Sequence, residues 1–130
     1  MHDQLAEIKE RFAPGWLKWI DVGEGWYQLV IDCHNELLAI DPTYQIEQIK
    51  EKYGGLRYYC SPGNSLDVDS RQAMEDVIRK YEELSFKTCE ATGRPGVLMK
   101  SAGGWLKTLD PEYAEDHYHH ARYTVVRVEN

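Results

Sequence analysis

The chain has 130 residues, of which 42% are hydrophobic and 28% charged, with a formal net charge of −7. That length supports one domain with a real core, and the composition excludes a disordered tract. The charge excludes a simple basic sleeve for nucleic acid. Its distribution is uneven: residues 1–49 carry nine acidic and three basic side chains, while 91–109 carry Arg94, Lys100 and Lys107 with no acid. Cys33, Cys60 and Cys89 are odd in number and widely spaced, which is not a disulfide framework and points to a reducing cytoplasm. No apolar run approaches the roughly 18 residues of a membrane span.

Residues 3–12 predict a short helix with Leu5, Ile8 and Phe12 on one face, ended by Ala13-Pro14-Gly15. A turn-rich link with Trp16, Trp19, Gly23 and Gly25 follows. Leu29, Val30, Cys33, Leu37 and Ile40 keep helical spacing in a second helix, which Asp41-Pro42 closes. Residues 48–60 read as a β-hairpin turning on Gly54-Gly55, because a type I′ turn needs two positive φ angles. Strand alternation then places Ile49, Tyr53, Leu56, Tyr58 and Cys60 on a core face. Gln48, Lys50, Lys52, Arg57 and Tyr59 fall on a basic, aromatic outer face. A third helix starts near Asp67–Ser70 and runs to about Thr88 on the stripe Ala73, Met74, Val77, Ile78, Tyr81, Leu84 and Ser85. Val97–Met99 and Trp105–Leu109 predict a second hairpin, and Arg122–Val128 a final strand after an acidic, His-rich link.

The expected fold is α+β: three helices packed on a small antiparallel sheet of two hairpins plus a C-terminal strand. It divides into an N-terminal helix (1–14), a helix–hairpin–helix core (15–88) and a C-terminal element (89–130).

Four segments carry a resemblance: Gly15-Trp16, Gln48 to Tyr59, Cys89 to Gly96, and Gly104 to Ala114. Together they resemble a family of small uncharacterised proteins common in phages and prophages, marked by a QvKEKFGGLRfY hairpin, a C-x-x-C-G knuckle and a T-L-C-x-x-H segment. In that family the four ligand positions look like a zinc ribbon. Here the first is Cys89, but the others are Thr92, Asp110 and Tyr113. The resemblance therefore implies a metal-less ribbon, with Trp105, Leu109 and Tyr113 packing where the ion would sit. The alternative is a zinc site rebuilt with His117, His119 and His120, for which Cys89 and Asp110 are further candidate ligands; His117 and His119 share a face if that segment is a strand.

Catalytic signatures are weak. Cys33 and His34 are adjacent on a helix and point about 100° apart, so they cannot act together. Cys33 and Cys60 lie on core faces. The glycines lack phosphate-loop spacing. The expected function is thus a non-enzymatic, cytoplasmic binding protein of phage type in a host bacterial cell. Its most concrete form is an inhibitor that occludes a host defence or nucleic-acid-processing protein with an acidic, aromatic-rich face. Trp16, Trp19 and Trp26 would anchor the contact, and a protein partner is favoured over nucleic acid. The alternatives are a nucleic-acid-binding module using Gln48, Lys50, Lys52, Arg57 and Tyr59, and a metal-dependent enzyme with a remodelled His site.

Overall fold

A computed structural model describes residues 3–63 and 65–127. Its architecture is α+β, with two three-stranded sheets, each associated with its own buried core.

Helix α1 (Asp3–Glu10) is amphipathic and buries Ile8 completely. It stops earlier than its spacing predicts, because Phe12 leaves the helix to bridge Ile46 and is buried there. Strand β1 (Ile20–Asp21) ends the turn-rich link, and a 3-10 turn at Glu24–Trp26 leads into α2 (Tyr27–Ile40). Trp26 is fully buried and donates its Nε1 hydrogen to the Thr88 carbonyl at 2.8 Å, so it is core rather than a surface anchor.

Strands β2 (Gln45–Lys52) and β3 (Gly55–Ser61) form the expected hairpin. Strand β1 adds to β2 in parallel, giving the order β1-β2-β3. A bulge between Ile46 and Gln48 lets these strands serve the core twice. Residues three apart in an ideal strand face opposite sides; the extra residue brings both Ile46 and Ile49 inward. Glu47 sits at the bulge, where its carboxylate accepts a hydrogen bond from the Ser61 hydroxyl at 2.8 Å.

The turn corrects the sequence expectation. It is centred on Tyr53 (φ 55°) and Gly54 (φ 85°), not on Gly54-Gly55, and Lys52 pairs with Gly55. Moving a two-residue turn by one position moves each residue's partner by two, so the face assignments of the strands survive. Only Tyr53 changes: expected on the core face, it projects into solvent at 65% exposure. Both glycine positions are crowded. A Cβ on Gly54 would stand 2.4 Å from a Leu98 methyl, and one on Gly55 would stand 2.5 Å from the Phe86 ring. Both glycines are needed for close approach, and the left-handed φ falls partly on a tyrosine at a cost of about 1 kcal/mol.

Helix α3 (Val68–Ser85) is capped by Asp67, which accepts from the Ser70 amide at 2.7 Å. It packs against α2 and β3 and closes the first core with Met74 and Tyr81. Tyr81 also hydrogen-bonds Glu36 of α2 through its hydroxyl.

Strands β4 (Val97–Lys100) and β5 (Leu106–Leu109) make the second hairpin, and β6 (Thr124–Val125) pairs with β4 in the order β5-β4-β6. The last strand is shorter than expected, and Val128 lies outside the described residues. The link read as a connector is helical: α4 (Pro111–Tyr118) is followed by a 3-10 turn at His119–Ala121. This fourth helix starts where Asp110-Pro111 supplies an N-cap and an N1 proline.

The two cores meet along tight backbone contacts. The Gly25 amide donates to the Glu90 carbonyl at 2.8 Å, and a Cβ on Gly25 would come within 2.2 Å of the Cys89 carbonyl oxygen. Thr108 donates its hydroxyl to the Gly54 carbonyl at 2.7 Å, which ties the first hairpin's tip to β5.

Candidate binding face

The first core draws Ile8, Phe12, Val30, Leu37, Met74 and Tyr81 onto one face of β1-β2-β3. The opposite face points outward, and five residues expected there from alternation are on it. Lys50 pairs with Arg57 and Gln48 with Tyr59 across the hairpin, while Asp21 of β1 lies beside Lys50. The link before β1 adds Trp16, Leu17 and Trp19, all exposed, with Trp19 at 60%. Trp16, Leu17 and Trp19 line a groove of about 500 Å³ together with Gln48, Ile49 and Lys50. Sequence patterning thus places the two tryptophans and the hairpin residues separately, and the parallel pairing of β1 with β2 brings them together.

The cations of this face are not equivalent. Arg57, expected to be free for a partner, is held by Glu82 of α3 at 3.0 Å. Among the described residues, Lys50 and Lys52 have no carboxylate within ion-pair distance. Instead their ammonium groups lie over rings, Lys50 at 5.8 Å from the Tyr59 centroid and Lys52 at 5.5 Å from that of Tyr53. A ring face attracts a cation without neutralising it, so both charges stay available. Asp21 and Glu47 border the same groove, so its rim carries both signs.

The residues weighed as metal ligands are not brought into one site. Cys89 is buried in the second core with Met99, Leu109 and Ala114. Its amide donates to the Arg94 carbonyl at 2.7 Å, and its carbonyl accepts from Gly93 at 2.9 Å, so the knuckle turn closes on itself. Thr92 is exposed and accepts from the Arg94 amide. Asp110 caps α4 through the Glu112 amide and pairs with Arg94 at 2.8 Å. That ion pair links the turn after Cys89 directly to the start of α4. Tyr113 stacks on His117 at 4.0 Å between centroids. His119 contacts Glu115 at 3.0 Å. Because the segment is helical, His117 and His119 lie about 200° apart around the axis rather than on one strand face. Among the described residues, no group of three or more His, Cys, Asp or Glu side chains could hold a metal ion. Leu109 and Tyr113 do pack in this region, but Trp105 does not: it sits on the turn between β4 and β5 and is 76% exposed.

The buried polar groups form a structural chain. The Tyr44 hydroxyl lies 2.6 Å from His34 Nδ1 and 2.7 Å from the Tyr58 hydroxyl. His34 is fully buried, and its Nε2 has no hydrogen-bond partner among the described residues. Burial holds its pKa below the ordinary value, with Glu7 opposing and Arg11 reinforcing that shift. Burial likewise raises the thiols, Cys60 to about 12 and Cys33 further, so neither is a ready nucleophile. Cys60 borders a small cavity of about 140 Å³.

Comparison of the chain with protein-family models, curated proteins and solved structures finds no match.

Proposed function

We propose that this chain is a non-enzymatic, phage-type binding protein that engages a partner protein through the outer face of β1-β2-β3. The observation that carries the reading is the groove where Trp16, Leu17 and Trp19 meet Gln48 and Lys50. Exposed tryptophans beside a cleft are the usual anchors of a protein contact. The partner would insert an apolar side chain into the groove and meet a rim of both signs, Lys50 on one part and Asp21 and Glu47 on another. In its most concrete form the chain occludes a functional surface of a host defence or nucleic-acid-processing protein. The acidic helices are weaker candidates for the contact, because part of their charge is spent internally: Glu36 pairs with Lys80, Asp76 with Arg79 and Glu82 with Arg57.

A nucleic-acid reading has one specific support, the unneutralised Lys50 and Lys52 over tyrosine rings. Against it stand Asp21 and Glu47 on the groove rim and the overall charge of −7. Affinity capture from nuclease-treated bacterial lysate separates the readings. A protein retained by the wild-type chain and lost with Trp19→Asp supports the protein contact. Retention only before nuclease treatment refutes it in favour of nucleic acid, and a captured protein indifferent to Trp19→Asp refutes this face.

A further inference from the structure

At the far end of β2 from that groove, a second cleft of about 560 Å³ opens between the two hairpins. Tyr53 and Trp105 both border it, one on the tip of the first hairpin and the other on the β4–β5 turn. Both rings are held out by tight turns. Tyr53 has φ 55°, a conformation unfavourable for an aromatic residue, and Trp105 follows Gly104 at φ 93°. Neither ring is part of the buried cores: Trp105 is 76% and Tyr53 65% exposed, both more than Trp19. Strain that displays a side chain at a cleft is worth reading for function.

The polar groups of the cleft narrow the ligand. Lys52 and Lys107 both line it. Lys107 is paired with Glu90 at 3.4 Å, which keeps it charged although burial works against its charge, so it supports the wall of the cleft and leaves Lys52 as the cation for a ligand. The third charged group, Glu51, already accepts a hydrogen bond from the Gly54 amide at 2.7 Å. One ammonium group without an ion pair among the described residues, that of Lys52, and two unburied rings suit a ligand with a planar π-face and an attached anion. A cleft of this size holds one such unit.

From this we infer that the cleft lined by Tyr53 and Trp105 binds a nucleobase stacked on those rings, with its phosphate on Lys52. The same chemistry is offered by a free nucleotide and by an unpaired base of a single strand. This site is separate from the protein-binding groove, so either proposal can fail without the other.

The test titrates the full chain with each of the four common ribonucleoside monophosphates, with adenosine, and with a ten-nucleotide single-stranded DNA of mixed sequence, read by calorimetry. Trp105→Ser and Tyr53→Gly should each weaken binding at least about fivefold, the low end for loss of one base–aromatic stack. Lys52→Gln should weaken adenosine monophosphate more than adenosine. Tyr53→Gly places glycine at a left-handed φ and should melt no lower than wild type, so lost binding in that variant cannot be lost folding. Binding of the monophosphates supports a free-nucleotide ligand, and binding of the DNA alone supports an unpaired base. Failure of every probe at millimolar concentration overturns the inference, as does binding that Trp105→Ser and Tyr53→Gly leave unchanged.

Discussion

His34 makes acid stability a sharp test of the first core. The imidazole is fully buried, with Nδ1 on the Tyr44 hydroxyl and Nε2 3.7 Å from a Glu7 carboxylate oxygen. Burial lowers its pKa in the folded chain, while the unfolded chain titrates near about 6.5. On acidification the unfolded state therefore takes up a proton that the folded state refuses. Stability is full above the unfolded pKa, falls as pH drops below it, and stops falling once the folded pKa is passed. A group that stays neutral in the fold would cost about 1.4 kcal/mol between pH 7.5 and 5.5. The groups facing it are Glu7, which favours the proton, and Arg11 and the Tyr44 hydroxyl, which do not require it. Urea denaturation across that range, for wild type and His34→Gln, isolates the contribution because the surface histidines are common to both. Wild type should lose up to about 1.4 kcal/mol more than the variant. Equal slopes would refute the buried neutral imidazole, and a wild-type slope of opposite sign would show that Glu7 pairs with a protonated ring.

The contact between the cores is unforgiving at Gly25, where a Cβ would meet the Cys89 oxygen at 2.2 Å and the Gly93 nitrogen at 2.4 Å. Gly25→Ala should destabilise by about 3 kcal/mol, since backbone atoms cannot yield as side chains do; a shift in the urea midpoint near zero would contradict that packing. Asp110→Ala removes both the α4 cap and the Arg94 pair and should cost about 1–2 kcal/mol, against well under about 1 kcal/mol for Arg94→Ala, which loses only the half-exposed pair. Thr108→Val should loosen the hairpin tip by about 1–3 kcal/mol by orphaning the buried Gly54 carbonyl, visible as faster amide exchange at the tip.

The sequence made the α+β class, the two hairpins and the start of α3 legible because these rest on local signals: periodicity, glycine turns and the capping residue types at Asp67–Ser70. It also placed Gln48, Lys50, Lys52, Arg57 and Tyr59 on one face, since strand parity survives a shifted turn. What escaped it depends on neighbours distant in the chain. Strand β1 is two residues long, too short for periodicity, yet it carries Trp19 to the side of Gln48. The turn lies at Tyr53-Gly54, where Leu98 and Phe86, distant in the chain, fill the space above both glycines. Arg57 lost its freedom to Glu82, a residue of α3. The helix at 111–118 was signalled by Asp110-Pro111, but its histidines drew the reading toward an extended segment.

The most direct measurement of the proposed contact is a hydroxyl-radical footprint of the chain, free and in its captured complex. Trp16, Trp19 and Tyr59 are exposed in the free chain and should become protected, while Leu84 on α3 stays reactive. Protection of Leu84 with Trp16, Trp19 and Tyr59 still reactive would place the contact on the helices and contradict the account.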